Sequence, residues 1–186
     1  MKEIGMENKR TFATVNLVLM ALFAAATCVL APLSVPIGPV PISLTNLVVF
    51  ASAYVLGWKR GTLTYIVYLL IGLAGLPVFS GFTGGVGKLA GPTGGYLVGF
   101  IFTGAICGIF FERFDRKVVP GFIGMILGMI VAYAFGTAWF CISTGSTVAA
   151  ALTICVFPFI IGDIAKMVVT VLVGPVIAKG IRRAAE

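Results

Sequence analysis

The chain has 186 residues, of which 60% are hydrophobic and 10% charged, and its mean hydropathy is +1.13. A soluble domain carries about a quarter charged residues, so a water-soluble globule is excluded: there is too little polar surface to coat the apolar one, and the bilayer is the solvent. A net charge of +7 and a pI near 9.5 would suggest nucleic acid for a soluble protein, but these basic residues gather at the ends of apolar stretches, so the excess reads as topology and no nucleic-acid partner is expected.

Six apolar runs follow one another, at 12–31, 44–58, 61–76, 94–111, 119–141 and 150–178. A spanning helix needs roughly 20 residues. The predicted fold is therefore an all-α integral membrane protein with six transmembrane helices, forming one domain over residues 1–186. The second and third runs are short and are expected to tilt little, to sit where the bilayer is thin, or to form a partly irregular hairpin. Lys2, Lys9 and Arg10 precede the first run, and Lys59 and Arg60 separate the second from the third. Arg113, Arg116 and Lys117 separate the fourth from the fifth, and Lys179, Arg182 and Arg183 follow the last. These clusters alternate with connections almost free of basic residues, which places both termini in the cytoplasm. The basic stretch before the first run resembles a leader peptide, but Pro32 stands where a small-residue cleavage site would fall, so a retained first helix is predicted.

On this topology the outward connections are 32–43, 77–93 and 142–149. The first holds Pro32, Pro36, Pro39 and Pro41, which fix φ and remove donors, so a stiff extended or turned segment is expected. The second holds Gly81, Gly84, Gly85, Gly87 and Gly91 and runs into Gly94 and Gly95; such a stretch can fold back and bring backbone amides near a ligand. Two long apolar outer loops are read as parts of a binding site, the alternative being that their Gly and Pro only end helices.

Small residues recur four apart at Ala21 and Ala25, Gly95 and Gly99, Gly104 and Gly108, and Gly124 and Gly128, a spacing that lets helices approach closely in lipid. The three glycine pairs are expected to pack within the chain. No internal repeat is visible, which argues against an inverted-repeat carrier. Cys28, Cys107, Cys141 and Cys155 show no paired spacing and are read as packing residues rather than disulfide partners or metal ligands. Histidine is absent, and no metal or cofactor is expected.

Away from the basic clusters and their neighbours Glu3, Glu7, Glu112, Asp115 and Glu186, three charges remain: Lys88, Asp163 and Lys166. Lys88 lies in the glycine-rich loop, where an ordinary solvated lysine is an equal alternative to a functional one. The stretch around it falls short of a phosphate-binding loop, because position 82 is Phe82 and position 89 is Leu89. Asp163 and Lys166 lie inside the last apolar run, where an ionised side chain facing lipid costs roughly 2.5–3.5 kcal/mol, so both should face the bundle interior. Three residues apart on a helix, they reach the same space and neutralise each other. A bundle-locking ion pair is one reading. A ligand site is the preferred one, since buried pairs often add no net stability over apolar packing. Pro158 should open the helix near them. With Asp163 the one acid away from the cytoplasmic face, no catalytic set is present, the chain is read as a non-enzyme, and any concentrative transport must draw its energy elsewhere.

Three segments, Pro36-Ile-Gly-Pro-Val-Pro-Ile-Ser-Leu-Thr45-Asn46, Gly91-Pro92-Thr93-Gly94-Gly95-Tyr96 and Asp163-Ile-Ala-Lys166, give the chain a resemblance to the BioY family over nearly its whole length. These are the biotin-binding subunits of energy-coupling factor (ECF) transporters of bacteria and archaea. The resemblance implies biotin bound near the outer face, and partners in the form of a coupling transmembrane subunit and two cytoplasmic ATPases. Ala21 and Ala25 look like the family's AxxxA contact for the coupling subunit, internal packing being the alternative. For the site, Asp163 would accept from a ureido N–H of biotin, and Lys166 or Asn46 beside Thr45 would donate to the ureido carbonyl. Gly91, Pro92, Thr93, Gly94, Gly95 and Tyr96 would line the apolar ring and tail. A competing pose pairs Lys166 with the valerate carboxylate. The runner-up function is a proton-coupled carrier working through Asp163, and a ligand-free membrane scaffold is the third.

Overall fold

The computed structural model describes residues 2–184, with side chains from Thr14 onward apart from positions 182 and 184. The side chains of Lys2, Glu3, Glu7, Lys9, Arg10 and Arg182, and Glu186, which belong to the charge pattern, lie outside the described residues. The elements are α1 (Lys2–Leu30), the strands β1 (Ser34–Val35) and β2 (Ile42–Ser43), α2 (Thr45–Leu73), α3 (Val86–Ala90), α4 (Gly94–Arg113), α5 (Val118–Thr144), α6 (Val148–Cys155) and α7 (Phe157–Ala184). Gly94–Arg113, Val118–Thr144 and Phe157–Ile181 are each long and apolar enough to cross a bilayer, and Thr14–Leu30 is a shorter apolar helix. The protein is a multi-pass, all-helical membrane protein apart from its small hairpin.

The two short runs expected at 44–58 and 61–76 form one tight helical hairpin. Gly57 sits between them with φ 78 and ψ −173, a backbone region open essentially to glycine alone. A Cβ on Gly61 would stand 3.0 Å from the Cα of Ala53, whereas residues eight apart in a straight helix are about 12 Å apart; the chain therefore doubles back. The break strips backbone groups of their helical partners, and the α4–α5 connection supplies new ones. Arg116 Nε donates to the Tyr54 carbonyl at 2.8 Å, and Glu112 Oε1 accepts from the Trp58 amide at 3.1 Å.

The last run, 150–178, is likewise two helices, α6 and α7, with the break at Val156 (φ −125, ψ −60). Pro158, two residues on, has no amide proton to return to the preceding turn. Phe159 N donates to Val156 O at 3.0 Å, and the Cys155 carbonyl accepts instead from the Tyr96 hydroxyl of α4. The anticipated opening near Pro158 is thus a helix break stitched to a neighbouring helix.

The proline-rich connection is an antiparallel hairpin pairing Ser34 with Ser43 and Val35 with Ile42. It is tied to the glycine-rich connection by Gly81 N donating to Pro32 O at 3.1 Å. The proline-rich and glycine-rich connections therefore lie together at one end of the bundle, and the Lys59–Arg60 and Arg113–Lys117 clusters lie at the other.

Helix packing follows the glycines. A Cβ on Gly95 or Gly99 would run into Phe135 or Ala132 of α5, one on Gly124 or Gly128 into Phe110 or Cys107 and Thr103 of α4, and one on Gly108 into Trp58. Thr103 Oγ1 donates across this seam to Gly128 O at 2.8 Å. The expected internal role of these pairs matches that packing. Ala21 and Ala25, by contrast, are exposed on α1, while Ala24 and Thr27 face inward. The cysteines are free, with Cys107 and Cys155 fully buried among apolar neighbours.

Candidate functional site

A cleft lies between α2, α4, α5 and α7, beside the proline-rich and glycine-rich connections, whose Val40, Pro41 and Ser80 are part of its lining. Its floor is polar. Asp163 of α7 is 4% exposed, and its carboxylate accepts from Asn46 Nδ2 at 2.7 Å and from Lys166 Nζ at 3.0 Å through Oδ1. Oδ2 accepts from the Tyr133 hydroxyl of α5 at 2.5 Å.

Lys166 Nζ also donates to Asn46 Oδ1 at 2.9 Å and to the Ser43 carbonyl of β2 at 2.8 Å. All three ammonium protons are thereby engaged. The Asn46 amide bridges the pair, giving a proton to the acid and accepting one from the base. Its remaining polar contact is weak, Nδ2 standing 3.9 Å from Met129 Sδ. An ionised carboxylate has roughly four acceptor directions, and three are used here. That leaves one acceptor direction on Asp163, and one Asn46 amide proton whose sole partner is the Met129 sulfur, at the wall of the cleft; together they are the donor and acceptor set that a planar amide or urea group needs.

The walls are aromatic and apolar: Tyr68, Tyr96, Phe100, Tyr133 and Phe159, with Met129 below. Tyr96 and Tyr133 meet edge to face at 6.5 Å. Ser43, Thr45, Ser80 and Thr93 add hydroxyls, and Thr45 and Ser43 share a hydrogen bond at 2.9 Å.

Of the residues expected at the site, Asp163, Lys166, Asn46, Thr45, Thr93 and Tyr96 come together around this cleft. Gly91, Pro92, Gly94 and Gly95 stand outside its lining. Gly94 and Gly95 serve close packing, their α-carbons pressed on Leu89 and on Phe135 and Trp139, and Gly91 O accepts from Trp139 Nε1 at 2.9 Å. Lys88, on α3, also stands outside the lining; partial burial lowers its ammonium pKa from the ordinary lysine value. Tyr133, Met129, Phe100, Phe159 and Tyr68 were not singled out by the sequence, and apolar helices give no signal that separates a cleft-facing aromatic from a lipid-facing one.

The geometry has counterparts among known proteins. The chain is 36% identical over 169 residues to a Lactococcus lactis subsp. cremoris protein named biotin transporter BioY2, covering 91% of each chain. A Thermotoga maritima protein named biotin transporter BioY is 40% identical over 161 residues, covering 85% of this chain and 92% of that one. Among solved structures, the crystal structure of the S-component for biotin from an ECF-type ABC transporter superposes with a TM-score of 0.82 at 30% identity, covering 88% of this chain and 90% of that one. The BioY family model matches residues 6–183. With its fold, its match and its relatives in agreement, the chain belongs to the BioY family.

Proposed function

We propose that this chain captures biotin at the outer face of a prokaryotic cell membrane and delivers it inward as the substrate-binding subunit of an ATP-driven ECF importer, catalysing no reaction itself. The observation that carries the reading is the Asp163, Lys166, Asn46 and Tyr133 cluster at the base of an aromatic cleft that lies beside the proline-rich and glycine-rich connections. Biotin offers a ureido head with two N–H donors and one carbonyl, an apolar ring and a carboxylate tail. The head fits the floor: one N–H donates to the open acceptor direction of Asp163, and the second N–H of Asn46 donates to the ureido carbonyl. Lys166, its protons already committed to Ser43, Asn46 and Asp163, holds the acid and the amide in place. The thiophane ring lies among Tyr68, Tyr96, Phe100 and Phe159, and the tail points toward Thr45 and Thr93.

In this reading the chain is one domain with six crossings, the two arms of α2 counting as two and α6 with α7 as one. Both termini are cytoplasmic. The coupling transmembrane subunit meets α1 at Ala21 and Ala25, whose exposure supports an outward role, and two ATPases complete the importer.

The test is equilibrium binding of biotin, lipoate, thiamine and riboflavin to the purified chain. Biotin is expected to bind alone or far more tightly than the rest; tighter binding of another vitamin overturns the assignment. Biotin uptake in liposomes should require the added coupling subunit and ATPases, whereas flux driven by a pH gradient through this chain alone would make it a carrier.

A further inference from the structure

Three tyrosines of the cleft wall, Tyr68, Tyr96 and Tyr133, each give the hydroxyl proton to a protein acceptor: the Val78 carbonyl, the Cys155 carbonyl and the Asp163 carboxylate. The first bond ties the wall to the glycine-rich connection, and the third holds the acid of the floor. The second reaches the break between α6 and α7, and the backbone around that break shows what it does for the cleft.

In a continuous helix the Cys155 carbonyl accepts from the amide four residues on, that of Phe159. Here the Phe159 amide donates to Val156 O at 3.0 Å instead, and Val156 stands at φ −125 and ψ −60. Pro158 explains why the Ile154 carbonyl loses its helical donor, since proline has no amide proton. It does not explain the Cys155 carbonyl, because Phe159 has one. Cys155 is 0% exposed, and an acceptor left there without a donor is costly. Two donors can satisfy it, the Phe159 amide along the chain and the Tyr96 hydroxyl across it. The hydroxyl does so, which frees the amide to bond one residue nearer and lets the chain turn.

The donor is held firmly. Tyr96 is buried, its ring meets Tyr133 edge to face, and a Cβ on Gly136 of α5 would stand 2.3 Å from its ring carbons. Phe159 packs in the same buried cluster as Tyr96 and Cys155, and its ring is part of the cleft lining. Where that ring stands follows from the turn taken over residues 156–159.

We propose that the Tyr96 hydroxyl positions Phe159: by satisfying the Cys155 carbonyl it keeps the α6–α7 break in place, and the break holds the Phe159 ring in the cleft wall, against the apolar part of the solute. Without the hydroxyl, the donor in line for that carbonyl is the Phe159 amide, whose return to it draws the ring out of the wall. Tyr96 thus serves the cleft with its ring directly and with its hydroxyl through Phe159. The effect on the solute rests on the capture reading above; the placing of the ring does not.

The test has two arms, both on the full-length protein in detergent. In the first, without biotin, Phe159 and, as a control, Phe79 are replaced one at a time by 4-fluorophenylalanine and followed by fluorine NMR. Tyr96→Phe, which deletes only the hydroxyl, should shift the resonance at position 159 and leave the one at position 79 in place. An unmoved resonance at 159, or equal shifts at both positions, overturns the proposal. In the second, biotin affinity is measured by calorimetry for the wild type, Tyr96→Phe, Phe159→Leu and the double variant. Tyr96→Phe should weaken binding about tenfold in the wild-type background and less than about twofold in the Phe159→Leu background. Equal losses in both backgrounds would show that the hydroxyl does not act through Phe159. A lowered midpoint of unfolding with unchanged affinity would make the bond a structural tie alone, and either result overturns the proposal. If the wild type binds no biotin while the resonance at 159 still shifts, the capture reading fails and the positioning role stands.

Discussion

Asp163 keeps an ionised carboxylate within hydrocarbon by surrounding it with donors from three other residues, one of them a cation. Removing any of these should be felt at the ligand. Tyr133→Phe deletes a hydrogen bond to a charged group, worth about 1.5–3 kcal/mol, and calorimetric titration should show biotin affinity falling roughly 10- to 150-fold at that energy. Asp163→Asn should abolish measurable binding, because the amide sets an N–H group where one carboxylate oxygen accepts, against the donors that face it, and removes the negative charge paired with Lys166. Biotin amide separates the two poses: with the ureido head on Asp163 its affinity stays within a few-fold of biotin, whereas a tail paired with Lys166 predicts a large loss.

The site was legible at the residue scale where a residue violated its surroundings. Asp163 and Lys166 are charges in an apolar run, and only an interior position makes them tolerable. Asn46 and Thr45 came through the family motif rather than through any physical pattern. Tyr133 and Met129 were illegible, since α5 is apolar on every side and the sequence does not show which stripe faces the cleft. The glycines at 91, 94 and 95 signalled a close approach, but not what approaches: the backbone of Leu89 on α3 presses on Gly94, and α5, through Phe135 and Trp139, presses on Gly95.

At the scale of elements, both breaks follow from backbone groups that the helix abandons. Gly57 turns α2 back on itself, and its α-carbon abuts the Glu112 carboxylate that caps Trp58. Gly57→Ala adds a Cβ at φ 78, where alanine is strained, and displaces that cap. The hairpin should lose more than about 1 kcal/mol of stability, visible as a lowered midpoint of thermal unfolding in detergent. Glu112→Ala removes the cap alone and should cost about 1 kcal/mol, with little effect on biotin affinity because the cleft lies at the other end. The sequence announced these breaks by their glycine, proline and basic residues, but not their shape. Whether a Gly-Trp-Lys-Arg connection forms a loop or a one-residue reversal is decided by Arg116 and Glu112, residues more than fifty positions away.

At the scale of the molecule, the two tryptophans mark opposite ends. Trp58 touches the last turn of α4 through Glu112, and Trp139 touches the residue run before its first turn. The 20 residues of α4 between them measure about 30 Å, the thickness of the hydrocarbon layer. This predicts that cysteines introduced at positions 36 and 82 react with an impermeant thiol reagent from outside intact cells, while those at positions 60 and 116 react only after permeabilisation. Saturating biotin at 100 to 1,000 times its dissociation constant should stabilise the protein by roughly 2.7–4.1 kcal/mol.

The account stands on an acid and a base being retained in hydrocarbon for the solute's sake. The most direct measurement is biotin binding by calorimetry to the Asp163→Leu, Lys166→Leu double variant, which keeps the net charge and leaves no unpaired ion behind. A variant that remains monodisperse and unfolds cooperatively, yet binds no biotin, is the predicted result. Wild-type affinity in that variant would contradict it and reduce the pair to a bundle lock.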